Sequence, residues 1–497
     1  MELWKSIPFV CILLPLGSAA ATSVLKGKIA KRWTGFVLFA VSVLSAVFEV
    51  LMRFYGQSYT YMMGHYPAPW GNEIRAGELE AVTAGFFAFI MFLSYIGGIK
   101  KLKEHVLSDK HNLYCVLMLL LDSALMAQVY TNDIFTAYVF VEIMTIAAAA
   151  LIAARTRGRT LVAATRYMIM NLIGSSLFLM GIIILYDLTG HLLMSNMHEA
   201  IDTLAKTGQY KEPLTVVIAL ITIGLAIKSG LFPFHKWIPD AYGYSTPASQ
   251  AVLSSLVSKG YIFLLIKIIY RVIGLDLYKE TGIHNVLFVF GLVGMLMGSF
   301  SAIKQNDIRR MTAYSSVAQI GYVFMGIGLG TQFGMMAAMF HIFSHAVCKA
   351  MLFLAAGALV DASDHHDEFK YLRGSGYRAP LAGIAFSIGA LSMVGFPFLG
   401  GFSSKLNFAL AGLEYGGIHA VLVVVVLMAS TALNTVYFLK TVITLYRITD
   451  HAYEIPVKKP EFLFRVSLIL FALLNIGLGV MSQYFINAIN RGIIMFG

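Results

Sequence analysis

The sequence is short of the residues from which redox centres and disulfide-stabilised folds are built. Only 3 of its 497 residues are cysteines, and Cys11, Cys115 and Cys348 fall in three separate apolar stretches. Cysteines scattered in this way support neither a disulfide framework nor a metal cluster. The sequence also contains no haem-ligation motif and no nucleotide-binding loop. We therefore expect no cofactor and no redox centre in this chain.

Charged residues are also scarce. They make up 13% of the chain, against 58% hydrophobic residues, whereas soluble domains are roughly a quarter charged. The longest polar connections, around 53–79, 188–212 and 361–379, are too short to bury a core of their own. The composition therefore excludes a soluble domain and indicates that the bilayer is the solvent.

Long apolar stretches fill most of the sequence. Windows of about 20 apolar residues predict an all-α polytopic membrane protein with about fourteen transmembrane helices. The predicted spans are 7–25, 34–52, 80–99, 113–130, 133–153, 165–187, 213–232, 248–270, 285–303, 310–330, 334–360, 380–396, 418–446 and 466–488. The first span lacks an evident cleavage site and is expected to be a retained helix.

Lysine and arginine residues predict the orientation of these helices. Alternate loops hold 23 of them, including Arg157, Lys458 and Lys459, whereas the opposite loops hold 8. Because cytoplasmic loops retain positive charge, we expect the chain to lie in the inner (cytoplasmic) cell membrane with both termini on the outer side. The net charge of +11 follows from this placement, and we expect no nucleic-acid partner.

Two Phe-Pro-Phe segments predict discontinuous helices. Pro233 and Pro397 each follow an apolar span, and a proline removes a backbone donor and interrupts a helix. Broken helices beside a lysine are typical of transporters with internal repeats. The predicted division is three N-terminal helices in 1–112, two inverted five-helix repeats in 113–270 and 285–446, and a last helix in 447–497. The alternative is chance recurrence in a phenylalanine-rich chain.

Several charged or titratable residues lie inside the predicted spans. A charge at mid-bilayer costs at least about 2.5 to 3.5 kcal/mol, so a group of them needs a functional reason. Glu142 and Lys228 are expected to pair, since a pair would explain how both are tolerated. Because they lie in apolar sequence or beside a break, we predict a proton pathway through Glu142, Lys228, Lys259, His341, His345, Lys349 and Lys405.

Other interpretations of the polar residues remain open. His341, His345 and Lys349 recur every four residues on one helical stripe, but the segment has no acidic partner for a metal site, and either histidine can serve in packing. The loop residues 361–368 are expected to be solvated rather than metal-binding.

Three further charged residues have no clear place in the pathway. Lys267 and Lys440 lie near helix ends and are expected to extend to the interface. Asp122 is either an auxiliary partner or faces a wet crevice.

At these residues the sequence resembles a known family, the antiporter-like subunits shared by Mrp-type cation/proton antiporters, respiratory complex I and membrane-bound hydrogenases. The similarity extends over nearly the whole chain. It rests on Glu142, Lys228 to Ala241, Val257 to Tyr261, His341 to Ala350 and Gly395 to Lys405.

The resemblance implies two inverted repeats, each forming a proton half-channel, and a central axis through Lys228, Lys259, His341 or His345, and Lys405. It implies partner membrane subunits and similarity to the D-type Mrp subunit or its hydrogenase counterpart. Ala76 to Ala81 and the loop Asp361 to Tyr371 depart from the family pattern. Whether the host complex contains a redox module therefore stays open.

We thus expect a proton- or sodium-translocating subunit of a larger membrane complex. The alternatives are a stand-alone transporter of an organic solute and a structural subunit without an ion path. The first lacks evident groups for an organic substrate, and the second leaves the cost of the buried charges unexplained. The sequence does not decide between H⁺ and Na⁺.

Overall fold

The computed structural model describes residues 3–63, 66, 71–155, 159–447 and 460–496. Arg157, Lys458 and Lys459, which contribute to the predicted charge asymmetry, lie outside these residues. The described chain is almost entirely helical, as expected in lipid, where every backbone polar group must find a partner within the protein.

The N-terminal part contains three long helices and a small hairpin. The hairpin strands are antiparallel, with Tyr59 opposite Ala76 and Met62 opposite Glu73. The elements are α1 (Ile7–Thr22), α2 (Gly27–Tyr55), β1 (Tyr59–Met62), β2 (Glu73–Ala76), α3 (Glu78–Gly98) and the short α4 (Leu102–His105).

The part that corresponds to the first predicted repeat contains five membrane-crossing units, some of them in segments. The helices of this part are α5 (His111–Tyr130), α6 (Ile134–Ala153), α7 (Thr160–Thr189), α8 (Met194–Thr207), α9 (Lys211–Ser229), α10 (Ile238–Tyr244), α11 (Pro247–Val252), α12 (Ser258–Ile268) and α13 (Leu275–Glu280). Two π-helical turns, Leu253–Val257 and Ile269–Ile273, extend α11 and α12 into one helical run. Helix α8 is a connecting helix outside the predicted spans.

The second predicted repeat and the C-terminal helices follow. They are α14 (Ile283–Ile303), α15 (Ile308–Gly328), α16 (Gln332–Asp361), the short α17 (Ser375–Arg378), α18 (Pro380–Val394), α19 (Gly400–Tyr415), α20 (Gly417–Tyr446), α21 (Phe462–Val480) and α22 (Ser482–Ile494). The last predicted span, 466–488, is in fact divided, since α21 ends at Val480 and the separate helix α22 packs against α3 and α16.

Each predicted span coincides with a helix, and the expected all-α membrane architecture is confirmed. Among the described residues, 12 helices or helix runs are long and apolar enough to cross a membrane. The remaining predicted spans correspond to α15 and α18. Helix α18 is short because its chain breaks before α19, and α15 is less apolar because it buries Thr312, Ser315, Ser316 and Gln319.

The two helix breaks occur earlier than the prolines suggested. Helix α9 ends at Ser229 and α18 at Val394, each capped by a glycine in the left-handed region, Gly230 at φ +79° and Gly395 at φ +97°. Only glycine adopts this conformation without strain. Glycine therefore terminates both helices, and Pro233 and Pro397 lie in the turns that follow.

Helices differ sharply in how much they are buried. Every residue of the run Pro247–Ile273 is buried, as are nearly all residues of α16. In contrast, α2, α7 and α20 expose apolar side chains along one face, as lipid-facing helices do. The run Pro247–Ile273 and α16 therefore form the centre of the molecule, and that is where the polar residues meet.

Candidate functional site

The first element of the site is an ion pair between α6 and α9. Lys228 Nζ lies 3.3 Å from Glu142 Oε1, and Lys228 is fully buried while the Glu142 side chain is 24% exposed. Lys228 also donates to Thr145 Oγ1 at 2.8 Å, and Ser175 donates to Glu142. The structure thus brings together the two residues that the sequence suggested as partners, with one end of the pair open to the surroundings.

The position of Lys228 follows from the broken helix. It lies in the last turn of α9, where the unpaired carbonyls of a helix carboxyl end carry partial negative charge and favour a cation. Gly230 leaves no room for a side chain, because a Cβ there would lie 2.2 Å from Ile238 Cδ1. The helix break therefore fixes Lys228 at a buried helix end in the interior of the molecule.

Hydrogen bonds connect this pair toward α12. Thr145 Oγ1 lies 2.9 Å from Tyr261 Oη, and Lys228 Nζ lies 5.2 Å from the centre of the Tyr261 ring. Two residues away, the fully buried Lys259 donates to the Ser254 carbonyl and, at 3.1 Å, to Ser258 Oγ. Ser254 belongs to the π-helical turn, where the regular helical ladder is interrupted. The turn therefore supplies a backbone acceptor for Lys259, which has no carboxylate partner among the described salt bridges.

The histidines of α16 continue the row. The His341 and His345 rings are stacked, with centroids 5.6 Å apart and planes inclined by 7°. His341 Nδ1 lies 2.7 Å from Ser404 Oγ. Neither ring nitrogen of His345 has a hydrogen-bond partner among the described residues, and α16, which carries His345, packs against α12, which carries Lys259. His345 therefore extends the row from His341 along α16.

Lys405 lies at the far end of the row, beside the second helix break. Its Nζ donates to the Val394 carbonyl at 2.9 Å and to Thr431 Oγ1 at 3.1 Å. Val394 is the last residue of α18, so Lys405, like Lys228, lies at a helix carboxyl end. The Tyr322 ring lies 5.7 Å from Lys405 Nζ and stacks on His341 at 5.6 Å. Tyr322 and Ser404 therefore join His341 to Lys405.

Lys349 lies one turn further along the histidine stripe but has different neighbours. It is fully buried and donates to the Thr312 carbonyl at 2.9 Å and to Ser315 Oγ. These contacts direct it toward α15, away from Lys405. Of the sequence-predicted site residues, Lys349 is thus a side branch rather than a member of the row. Sequence reasoning did not identify the bridging residues Thr145, Tyr261, Tyr322 and Ser404.

The prediction for Lys267 is wrong, whereas Lys440 is exposed as expected. Lys267 is fully buried and donates to the carbonyls of Val129 and Thr131, at 2.7 and 2.5 Å, where α5 ends. Because every residue of the run Pro247–Ile273 is buried, the Lys267 side chain does not reach the interface. Asp122 does not face a crevice either, since it is fully buried and neither carboxylate oxygen is hydrogen-bonded within the described ranges.

Two glutamates at the start of α3 form a second charged cluster that sequence reasoning did not predict. Glu80 Oε1 lies 3.3 Å from Arg271 Nη2, with side chains 2% and 3% exposed. Glu78 Oε1 lies 2.5 Å from Arg491 Nη2, which is 53% exposed. The pairs attach α3 to α12 and to α22. The unusual segment Ala76 to Ala81 therefore serves helix packing at this end of the molecule.

One group among the described residues combines the side-chain types that bind metals. Glu104, His105 and Asp361 place ligand atoms within 4.8 Å of one another. However, Lys101 pairs with Asp361, so a cation there would have to displace an ammonium group. The rest of the loop 361–368 is largely exposed, in line with the solvated loop expected from the sequence.

Comparison with known proteins decides the family. The family model described as "NADH:quinone oxidoreductase/Mrp antiporter, TM" matches residues 131–431, a range that contains all seven predicted pathway residues. The chain belongs to this family.

Individual relatives of this antiporter-like family member extend the match to both ends. NADH-quinone oxidoreductase subunit N of Desulforudis audaxviator is 33% identical, covering 95% of this chain and 94% of the relative. The putative antiporter subunit mnhD2 of Staphylococcus haemolyticus is 27% identical, covering 86% and 84%. The resemblance inferred from the sequence is therefore confirmed.

Solved structures give the same result. A chain of the membrane-bound sulfane sulfur reductase, an archaeal respiratory membrane complex, has a TM-score of 0.88 and 27% identity, covering 99% of this chain and 98% of that chain. A chain of the Mrp complex from Dietzia sp. DQ12-45-1b shares the fold, with a TM-score of 0.86, 20% identity and coverage of 99% and 97%. The relatives are named as subunits, and both solved chains belong to complexes. With 12 described helices or helix runs long and apolar enough to cross a membrane, this family member is a multi-pass membrane protein.

Proposed function

We propose that this chain translocates protons as a subunit of a larger membrane complex of the Mrp, complex I or hydrogenase type. The observation that carries the proposal is the row Glu142, Lys228, Lys259, His345, His341 and Lys405, in which every residue except the partly exposed Glu142 is buried. Burial of so many titratable groups is costly in a membrane. A scaffold would not need them, and apolar side chains of similar volume would pack at lower cost.

The Glu142–Lys228 pair is the proposed switch. While the pair is closed, the carboxylate compensates the lysine charge. When it opens, the uncompensated ammonium repels a proton on Lys259, since like charges in a low-dielectric interior interact strongly. That proton passes to His345 and His341 and, by way of Ser404 and Tyr322, to Lys405. Lys349 provides a branch toward α15.

The chemistry of the row favours H⁺ over Na⁺. Sodium requires several oxygen ligands arranged around one point, as hard cations do. Along the row, among the residues described above, Glu142 is the one carboxylate, and the other titratable groups are amines and imidazoles. Amines and imidazoles exchange protons. Their protonated forms repel an alkali cation, and their neutral forms lack the oxygen ligands that bind one. We therefore assign proton transfer to this chain.

The proposed arrangement in the membrane follows from the loop charges and the two breaks. The predicted division into 1–112, two inverted repeats in 113–270 and 285–446, and 447–497 is supported by the parallel between α9 with α10 and α18 with α19. Each pair has a glycine-capped end and a lysine beside it. We further propose a cell-membrane location with both termini outside, because the cation-rich loops then lie in the cytoplasm.

Ion movement in proteoliposomes that contain the intact complex tests the function. Glu142→Gln, Lys228→Ala and Lys405→Ala should each lower proton transport at least about tenfold, which corresponds to an activation barrier higher by about 1.4 kcal/mol or more. Lys440→Ala, which changes an exposed lysine on α20, is the matched control. Proton and sodium probes are read separately. Unchanged transport in all three variants with intact assembly would mean that the subunit is a scaffold.

Single-cysteine labelling tests the orientation. The native cysteines are all buried, so the background is low. Cysteine at position 110 or 304 should react with an impermeant reagent only from the cytoplasmic side, and cysteine at 206 or 279 only from outside. The reverse pattern would contradict the proposed placement of the termini.

A further inference from the structure

We propose that a cavity between α2, α3 and the start of α21 binds the phosphate headgroup of an anionic phospholipid. The cavity has a volume of about 630 Å³. Five cations surround it, namely Lys28, Lys31, Arg32, Lys100 and Lys103. We call it the α2–α3 cavity. Nothing in the proposed ion pathway uses it, because the lysines and histidines of the row lie on other helices.

The charge of the cavity is strongly one-sided. Glu461 is the carboxylate among the lining residues, and it lies 3.3 Å from Lys100. The other four cations have no ion pair among the described salt bridges. Loop cations at this end of the helices are the ordinary topology signal, but that signal does not require them to converge on one cavity. Their convergence creates a site for an anion.

The apolar lining indicates a lipid rather than a free anion. Tyr95, Ile96, Ile99 and Leu463 form the inner wall. Tyr95 is held in place by donating to the Lys31 carbonyl at 2.9 Å. A soluble phosphate would contact only the cations, whereas a phospholipid matches both the cations and the apolar wall. Basic pockets between membrane helices on the cytoplasmic side are suited to such headgroups.

The outer face of α2 offers a surface for the acyl chains. Ile29, Phe36 and Val43 recur every seven residues and are 54%, 61% and 43% exposed, and a spacing of seven places them on one side of the helix. Trp33, on the same helix and 38% exposed, is of the type that concentrates at the membrane interface. The apolar stripe therefore runs from the cationic cavity toward the middle of the membrane.

Native mass spectrometry of the intact complex in detergent tests the proposal. The complex is titrated with dioleoyl phosphatidylglycerol, with dioleoyl phosphatidylcholine and with inorganic phosphate. The wild type should retain phosphatidylglycerol in preference to phosphatidylcholine and should not bind phosphate alone. Lys31→Gln/Lys103→Gln should bind phosphatidylglycerol about 30-fold more weakly, the equivalent of about 1 kcal/mol for each cation.

Two controls separate lipid binding from general charge and from folding. Lys236→Gln/Lys304→Gln removes the same charge from exposed lysines that do not line the cavity, and it should bind lipid as the wild type does. Lys31→Arg/Lys103→Arg keeps the positive charge at both positions and should bind phosphatidylglycerol as the wild type does. Transport by the Lys31→Gln/Lys103→Gln complex reports on its assembly.

Three results would overturn the proposal. These are equal lipid retention by the wild type and the double glutamine variant, binding of inorganic phosphate as tight as that of the lipid, and absence of bound lipid in the wild-type complex. The last result would mean that another subunit covers the cavity if, in the same complex, the lysines that line the cavity are also protected from a reagent that acylates lysine.

Discussion

The two glutamate–arginine pairs of α3 allow a sharp test of how burial sets the strength of an ion pair. Glu78 and Glu80 lie two residues apart in the first turn of the same helix. Arg271, the partner of Glu80, is 3% exposed, whereas Arg491, the partner of Glu78, is 53% exposed. We expect Glu80→Gln to be strongly destabilising and Glu78→Gln to have little effect.

The magnitude follows from the geometry of the Glu80–Arg271 pair. At 3.3 Å and an effective dielectric constant of about 20, the Coulomb attraction is about 5 kcal/mol. Removing one partner of a buried pair typically costs 3–5 kcal/mol. Arg271 keeps two weaker contacts at 3.3 Å, with Asn132 Oδ1 and the Phe496 carbonyl. We therefore expect Glu80→Gln to lower the free energy of unfolding by about 3 kcal/mol.

Glutamine isolates the effect of charge. Glu80 Oε2 accepts a hydrogen bond from Gly77 N at 3.1 Å, which caps α3, and a glutamine carbonyl can take over that bond. For the Glu78–Arg491 pair, in which Glu78 is buried but Arg491 is 53% exposed, we expect about 1 kcal/mol.

The assay is unfolding of the purified protein in mixed micelles with increasing denaturing detergent, followed by near-ultraviolet circular dichroism. A second measurement on Glu80→Gln/Arg271→Gln should recover most of the loss, because no unpaired buried charge remains. Equal destabilisation by the two single variants would refute the reasoning, since it would show that burial does not decide the strength of these pairs.

Two further predictions concern the helix break and the buried lysine. Gly395→Ala should destabilise the protein by about 1–2 kcal/mol, because Gly395 has φ +97° and a Cβ there would lie 3.2 Å from Lys405 Cδ. Gly477→Ala, in α21 with nothing within 4 Å of the new Cβ, should be neutral or stabilising by up to about 1 kcal/mol; the reverse order would contradict the role of Gly395. Lys267→Met should lower stability by about 2 kcal/mol through loss of two charge-assisted hydrogen bonds yet leave proton transport within about twofold, and loss of transport at unchanged stability would place Lys267 on the pathway.

The pathway residues could be recognised from the sequence because each breaks a local rule. Lys228 and Lys259 interrupt apolar stretches, and a mid-span charge is rare enough to be noticed without knowing its neighbours. The residues that bridge them gave no such signal. Thr145 and Tyr261 occur in apolar helices for many reasons, and only their contacts with Lys228 distinguish them.

The sequence by itself determined the membrane class, the approximate helices and the set of costly charges, because hydrophobic length and the energy of a buried charge depend on local composition. Tertiary structure decided the partners: that Lys267 is held by the end of α5, that Glu80 meets Arg271, and that Lys349 turns toward α15. These features depend on which helices lie side by side, and spacing along one helix does not contain that information.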